Sequence, residues 1–504
     1  MYKADKVESR DVYDIEKIFE VVLAFNSVND RTELLNIILT KMMEITYSDA
    51  GTLYTVEDDK LHFRIIQNKT LDIFQSSETD KINLPPIILD KNNIQNVSAY
   101  SAITNEIVLV DDVYAENEHF NFSGPKNYDK MTGYRTRAML VLPICTQRGH
   151  DNEVLGVIQM INPIDPVTGG PGVYGNIYEP PIVPALAKIA ANTLANLTYV
   201  KDLQLLLHSF AAVMTQAIDE RSPYNNNHTQ NVALYCERFA MHLGRVFPQG
   251  HDFHFDSTHT ERLVLAALLH DIGKIITPLS IMDKADRLGE KIKAIRYRFE
   301  LKKCQLEIDW LHKRISNEEY AAEKEAVVEA QSFVEYINTT SFLNDEHLEN
   351  ILKLHDLTYK NADKAVVPLL DEDDMDALSI KRGTLTASER DIMQQHVTIT
   401  GRLLDKIPFW KYYGDVPQWA RAHHEFLDGT GYPQRLSGEE IPIETCIITI
   451  MDIFDALTDN DRPYKKGIPI DKSLKILAEM ADEGKLHKEL VQLFTESKLW
   501  EDMI

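Results

Sequence analysis

The stretch 184–218, PALAKIAANTLANLTYVKDLQLLLHSFAAVMTQAI, contains no glycine, and its single proline is Pro184 at the very start. Nothing inside it breaks a helix, and apolar residues from Leu186 and Ile189 through Leu203, Leu206, Phe210 and Val213 recur as a loose helical stripe. The pattern predicts one long connecting helix; the alternative is two separate helices, each packed on its own region. It divides a chain of 504 residues into two regions of different texture, in line with roughly 100–200 residues per domain.

Ahead of the connector, residues 12–47 read as helical, with apolar positions at three- and four-residue spacing. From Gly51 the texture changes. GTLYTVEDDKLHFRIIQN reads as a hairpin turning at Asp58-Asp59, and EIVLVDDVY, AMLVLPICT and EVLGVIQMIN are further strands. NPIDPVTGGPGVYGNIYEPP is loop. Helix, antiparallel strands and helix again define an α+β domain over 12–183. After the connector, 219–504 is helical by pattern. Within it, 284–360 is rich in Lys, Arg, Glu, Ala and Leu and reads as an antiparallel helical hairpin, followed by the acidic loop DEDDMDAL. Its charge density is that of a solvated face and assigns no chemistry.

The charges set a constraint on function. Lys and Arg number 53 against 78 Asp and Glu, a net charge of −25, and such a surface repels duplex nucleic acid and anionic membrane. A phosphate-bearing substrate therefore needs a local cationic pocket. No apolar run reaches the roughly 18 residues of a membrane helix, and MYKADKVESRDVYDIEKIF has no apolar core, so neither a membrane span nor a signal peptide is expected. Cys145, Cys236, Cys304 and Cys446 form no CxxC pair, which speaks against a thiolate metal site and fits a reducing cytoplasm.

Histidines carry the chemistry. They are His228, His270-Asp271 in LVLAALLHDIGK, His396 in ERDIMQQH, and His423-His424 in WARAHHEFLDGTGYP, with Asp452 in IITIMDIFDALT. A lone histidine on an apolar helix is ordinarily a satisfied core residue. Several imidazoles and carboxylates interrupting apolar runs are costly to bury without compensation, and a cation is the natural partner. Imidazole and carboxylate donors without thiolate suit Fe, Mn or Zn. Adjacent His423 and His424 cannot share one narrow helical face, but near a helix end both can address one metal.

His270-Asp271-Ile-Gly-Lys274 together with His424-Glu-Phe-Leu-Asp-Gly-Thr-Gly431-Tyr432-Pro433 resembles the HD-GYP family, cyclic-dinucleotide phosphodiesterases of the HD hydrolase superfamily. AIDERSPYNNNH ahead of His228, GEEIP at 438–442, and DALT followed by DRPYKK match as well, so the likeness runs from residue 210 to the C-terminus apart from the hairpin. It implies two divalent metals bridged by Asp271, iron or manganese by their donors. His228, His270, Asp271 and Asp452 would hold the first, and His396, His423 and His424 with Asp271 the second. Lys274 would contact the scissile phosphate, and Arg462 and Lys465, with Lys466 beside them, the substrate's other phosphate. Tyr432 either closes over the substrate, binds a partner or serves the turn.

Two departures from the family pattern stand out. The insertion 284–375 separates Asp271 from His396, and His355 in LKLHDL competes for the role of the third-motif histidine; RGTLTASERDIMQQH favours His396. A carboxylate that would hold a third metal is replaced by Tyr224, which favours two metals over three.

Residues 20–197 resemble a GAF domain, a small-molecule-binding module of signalling proteins. DAGTLYTVEDDKL and SGPKNYDKMTGYRTRAMLVLPI carry the likeness. It implies a six-stranded antiparallel sheet with helices on one face and a ligand pocket on the other. Asn127, Asp129, Thr132 and Tyr134 are its candidate ligand contacts, for a purine or a phosphate; the bland alternative is a GAF domain used only for dimerisation. The whole reads as an α+β GAF domain followed by an all-α HD-type hydrolase with an inserted helical hairpin, in a cytoplasmic homodimer. The expected activity is hydrolysis of cyclic di-GMP to linear pGpG and onward to GMP. Alternatives are 3′,3′-cyclic GMP–AMP as substrate, a non-catalytic cyclic-dinucleotide receptor, and a hydrolase of nucleotide monomers.

Overall fold

The computed structural model describes all residues except 1–17, 29, 78–81, 83, 149–150, 178–181, 223–226, 410–411, 460–466 and 502–504. The chain divides between Leu206 and Leu207 into two compact units.

The first unit is built on an antiparallel sheet. Its strands are β1 (Ser48–Glu57), β2 (Lys60–Asn68), β3 (Ile73–Ser76), β4 (Ile87–Ile88), β5 (Val108–Val110), β6 (Met139–Arg148) and β7 (Asp151–Pro163), in the order β3-β2-β1-β7-β6-β5 with β4 beside β2. The six strands foreseen are joined by one more, the two-residue β4. Asp58 and Asp59 turn the first hairpin with φ of 47° and 57°; positive φ at both turn residues matches the twist of the flanking strands. The Arg31–Ile45 helix begins where Asp30 accepts hydrogen bonds from the Thr32 and Glu33 amides. Its stripe of Leu34, Leu35, Ile38, Leu39 and Met42 joins one core with Leu53, Leu140, Leu142 and Ile158 of the sheet. Leu186, Ala187, Ala190 and Leu194 of the Ile182–Asp219 helix join the same core. A second core contains Tyr54, Val108, Phe122, Met139 and Val141, and two short helices, Val97–Thr104 and Ser123–Thr132, contribute residues to it or cap beside it. Helices therefore do not keep to one face, because the strand-to-strand connections on the pocket side coil as they cross.

The second unit is helical. The helices His228–Val246, Ser257–Leu269, Ala387–Leu404, Val416–Arg421, Ile443–Thr458, Ile470–Asp482 and Lys488–Ser497 enclose a core containing Phe239, Leu265, Leu269, Met451, Phe454 and Phe494. The insertion forms its own core: the Lys291–Leu311 and Asn317–Thr339 helices bury Ile295, Phe299, Val327, Val334 and Ile337 against each other and against Ile351 and Leu369. It also contains a small hairpin, β8 (Thr358–Lys360) with β9 (Val366–Pro368). The acidic DEDDMDAL segment is not a loop but the Glu372–Leu378 helix, capped by Asp371 in a reciprocal box with Asp374. Acidic side chains suit a first helical turn, and Arg298 donates to the buried Asp374 carboxylate at 2.7 Å.

Gly156 tests the sheet. A Cβ there would lie 2.2 Å from the Tyr54 carbonyl oxygen on the neighbouring strand, so Gly156→Ala must separate β1 from β7. Urea unfolding should show the first unit destabilised by about 1–3 kcal/mol; an unchanged midpoint would contradict this register.

Candidate metal centre

Each candidate ligand is placed by a different local device. His228 opens its helix after Asn227, which has φ 70°. His270 ends the Ser257–Leu269 helix, and Asp271 leads into the 3-10 turn Ile272–Ile276. His396 lies in the Ala387–Leu404 helix, whose start is held by a capping box between Thr386 and Glu389. His423 and His424 follow the Val416–Arg421 helix, and Asp452 sits within Ile443–Thr458. Gly273 lets two of these segments meet: a Cβ there would lie 2.0 Å from the His396 carbonyl oxygen. Its amide donates to Thr400 Oγ1 at 3.0 Å, and Thr400 Oγ1 donates to the His270 carbonyl at 3.0 Å.

Four of the histidines gather around Asp271, and Asp452 joins the remaining one, His424, to His228. Its Oδ2 lies 3.1 Å from His270 Nε2 and 3.6 Å from His228 Nε2, while Oδ1 lies 3.3 Å from His396 Nε2 and 3.8 Å from His423 Nε2. Asp452 reaches His228 Nε2 at 3.1 Å through Oδ1 and His424 Nδ1 at 3.7 Å through Oδ2. His228, His270 and Asp452 form one set of donor atoms within 4.8 Å of one another, and His396, His423 and His424 form another. His355 is elsewhere, exposed on the 3-10 turn Leu354–Asp356 of the insertion.

Backbone carbonyls set the tautomers. The Nδ1 atoms of His270, His396 and His423 lie 2.6, 2.6 and 2.8 Å from the carbonyls of Ala267, Met393 and Ala420, each three residues earlier. Nδ1 therefore carries the proton. This leaves each buried Nε2 as a bare acceptor facing a carboxylate that is also an acceptor. His270 Nε2, His396 Nε2, His423 Nε2 and Asp271 Oδ1 have no hydrogen-bond partner among the described residues. Lone pairs aimed at one another in a buried site call for a cation between them, so the donor set fits divalent metal.

The two sets differ in their electrostatics. Burial lowers the pKa of His228, but hydrogen bonds with Asp452 and Asp455 outweigh it and raise the pKa to about 10. Burial also disfavours charge on His270, and Asp271 more than compensates, raising its pKa. Asp271 is pushed up by burial yet held well below the carboxylate range by Lys274 and His270. The carboxylates thus draw positive charge to the first set. In the second set, burial holds His424 down to about 4 and, with the neighbouring imidazoles, keeps His423 well below its ordinary value. Those rings are neutral, as ligands must be.

Lys274 donates from Nζ to Asp271 Oδ2 at 2.5 Å. Tyr432 packs its ring 4.9 Å from that of His424, centroid to centroid, and its amide donates to the His424 carbonyl at 3.1 Å. Gly431 has a backbone role, since a Cβ would lie 2.5 Å from Glu425 Cα. Glu425, itself buried, draws the same loop in by accepting from the Gln434 and Leu436 amides. Arg462, Lys465, Lys466 and Tyr224 lie outside the described residues. Asp455 escaped the sequence reading. Its Oδ2 lies 2.6 Å from His228 Nδ1, and its signal was a second carboxylate three residues past Asp452 on an apolar helix.

The first unit holds a separate cavity of about 330 Å³, lined by Tyr54, Phe63, Phe122, Tyr128, Tyr134 and Gln159 among others. Of the four residues the sequence singled out, only Tyr134 reaches it. Asp129 is spent on the Thr136 amide and hydroxyl and on the Tyr114 hydroxyl, Thr132 donates to the Tyr128 carbonyl, and Asn127 is exposed. No charged side chain lines the cavity among the described residues.

Comparison with known proteins fits this architecture. The GAF domain family matches residues 30–170, and HD domain families match residues 226–363 and 373–490. The chain is a GAF domain followed by an HD domain. Among curated relatives, the 3′3′-cGAMP-specific phosphodiesterase 3 of Vibrio cholerae is 45% identical over 103 residues, 20% of this chain and 22% of that protein. The cyclic di-GMP phosphodiesterase of Thermotoga maritima is 37% identical over 122 residues, 24% of this chain and 32% of that protein. This chain thus spans less than a third of the length of either relative. No described helix is long and apolar enough to cross a membrane.

Two substitutions test the centre by metal content. Asp271→Ala, which removes the shared carboxylate, should abolish retention of most of the metal. Asp455→Asn, which leaves every donor atom in place, should weaken metal affinity about 10–100-fold. Elemental analysis after dialysis checks both, and full retention in Asp271→Ala would refute a shared ligand.

Proposed function

We propose that the second unit is a metal-dependent phosphodiesterase that opens a cyclic dinucleotide, cyclic di-GMP foremost, to linear pGpG and then to GMP. The observation that carries this reading is the pair of imidazole sets sharing Asp271, with bare Nε2 atoms turned inward. Two divalent ions, iron or manganese, would supply polarisation of the phosphate and an activated water nucleophile. The chain's own contribution is placement and charge. His228, His270 and Asp452 would hold one ion and His396, His423 and His424 the other, with Asp271 shared between the two sets. Lys274 leaves Asp271 partly to meet the scissile phosphate, supplying charge where it develops. Arg462 and Lys465 grip the second phosphate. Tyr432, packed on His424, walls the substrate side.

A second reading has its own support. The Vibrio cholerae relative named for 3′3′-cGAMP is 45% identical in the shared stretch, and no residue assigned to the site reads a base. The test is turnover of both dinucleotides by full-length protein loaded with iron or manganese under low oxygen. Hydrolysis of neither at full metal occupancy would overturn this reading; tight dinucleotide binding without turnover would then leave a receptor, and turnover of nucleotide monomers a different hydrolase. Lys274→Ala should keep its metals and lose roughly 10–1,000-fold in kcat, because it removes transition-state charge rather than a ligand.

The first unit is proposed to regulate the second. Its cavity, neutral and aromatic, suits a planar uncharged ligand such as a heterocyclic base better than a free phosphate. Leu203, Leu206, Phe210 and Val213 are exposed on the Ile182–Asp219 helix, and their three- and four-residue spacing supports a parallel homodimer along that helix. A one-residue insertion near Ala195 turns the helix by about 100°, whereas four residues restore most of the phase. The first should change the rate and the second should not; equal rates would leave the first unit as a tether.

A further inference from the structure

Just past the long helix, one side chain with no assigned role holds the backbone that carries Lys274. Arg221 lies two residues beyond the Ile182–Asp219 helix. Its Nη1 donates to the Lys274 carbonyl at 3.1 Å and to the Ile275 carbonyl, and its Nη2 donates to the Thr277 carbonyl at 3.3 Å. Those carbonyls belong to the last residues of the 3-10 turn Ile272–Ile276 and to the residue that caps it, where a cation is favoured. A planar guanidinium can span several such acceptors and a single ammonium cannot. Beside it, the Ser222 hydroxyl donates to Asp283, beyond the same turn.

The other half of this segment is held from a different direction. Thr400 binds the Gly273 amide and the His270 carbonyl, and so secures His270 and Asp271 against the helix that carries His396. The two anchors divide the work. Thr400 fixes the metal ligands, while Arg221 fixes the backbone from Lys274 to Thr277.

We propose that Arg221 is a positioning residue for Lys274, and that the long helix acts on the reaction through this guanidinium. The inference rests on the proposed contact between Lys274 and the scissile phosphate.

The test uses full-length protein and compares R221Q, K274A and the double variant. R221Q should retain its metals and lower kcat about tenfold, with KM changed less than about twofold. The double variant should be no slower than K274A alone, because the guanidinium acts through that lysine. Fully multiplicative losses, an unchanged kcat or a loss of metal from R221Q would each overturn the proposal. Amide hydrogen exchange across residues 272–277 supplies a readout independent of substrate. It should quicken in R221Q and not in K274A. Faster exchange in a protein whose wild type hydrolyses no cyclic dinucleotide would retain the anchoring contact and reject the substrate reading, whereas unchanged exchange rejects the anchor even if turnover is normal. If R221Q does not fold, R221K carries the same test, and a lysine variant indistinguishable from wild type overturns the proposal.

Discussion

A carboxylate buried among four imidazoles is an unstable arrangement unless positive charge joins it, and Asp271 is such a carboxylate. Its two oxygens face opposite pairs of histidines at 3.1 to 3.8 Å. The HD domain's architecture follows from the need to deliver those side chains from distant parts of the chain. Five segments, beginning at His228, His270, His396, His423 and Asp452, must arrive together, and each does so on or beside a helix packed into one core. The closest approach, Gly273 against the His396 carbonyl, leaves no room for a side chain. Packing there sets the distance between the two histidine sets.

Helical geometry also prepares the donors. Three of the histidines direct Nδ1 to the carbonyl three residues earlier, a relation that a helical turn supplies without any further partner. The consequence is electronic: the proton stays on the backbone side, and the lone pair is turned inward. His228 is the first residue of its helix, and its Nδ1 faces the Asp455 carboxylate. Against the burial of the ring, Asp452 on one side and the Asp455 carboxylate on the other raise the pKa of His228.

The two units solve opposite problems of polarity. The HD domain concentrates carboxylates and imidazoles in a protein that is already strongly acidic, with Lys274 as a cation within the cluster. The GAF cavity is built from tyrosine, phenylalanine and amide side chains without charge. Its buried Asp129 is consumed by the Thr136 amide and hydroxyl, so it organises a loop rather than meeting a ligand. Neutral walls and satisfied polar groups favour stacking and directional hydrogen bonds over ion pairing.

Much was legible before the fold was known. Hairpin turning at Asp58-Asp59 and the helix over 184–218 are local in the chain, and local patterns of period 2 and 3.6 report them directly; the histidine-bearing motifs are also short, and their residue order carries the family resemblance. The choice of His396 over His355 was also within reach, because the surroundings of His396 match a motif helix. The DEDDMDAL helix was not, since acidic composition suggests a loop until Asp371 caps it and Arg298 neutralises Asp374. Likewise Asn127, Asp129 and Thr132 lie in the right motif, yet their side chains are exposed or engaged elsewhere. Residue types and their order determined the domain kinds and the metal-binding character, because both depend on chemistry written within short segments. Only tertiary structure decided which atoms meet: Asp455 on His228, Thr400 under His270 and Arg221 over Lys274. Those contacts join residues 53 to 227 positions apart, and no local pattern encodes a distance between segments that the packed core alone brings together.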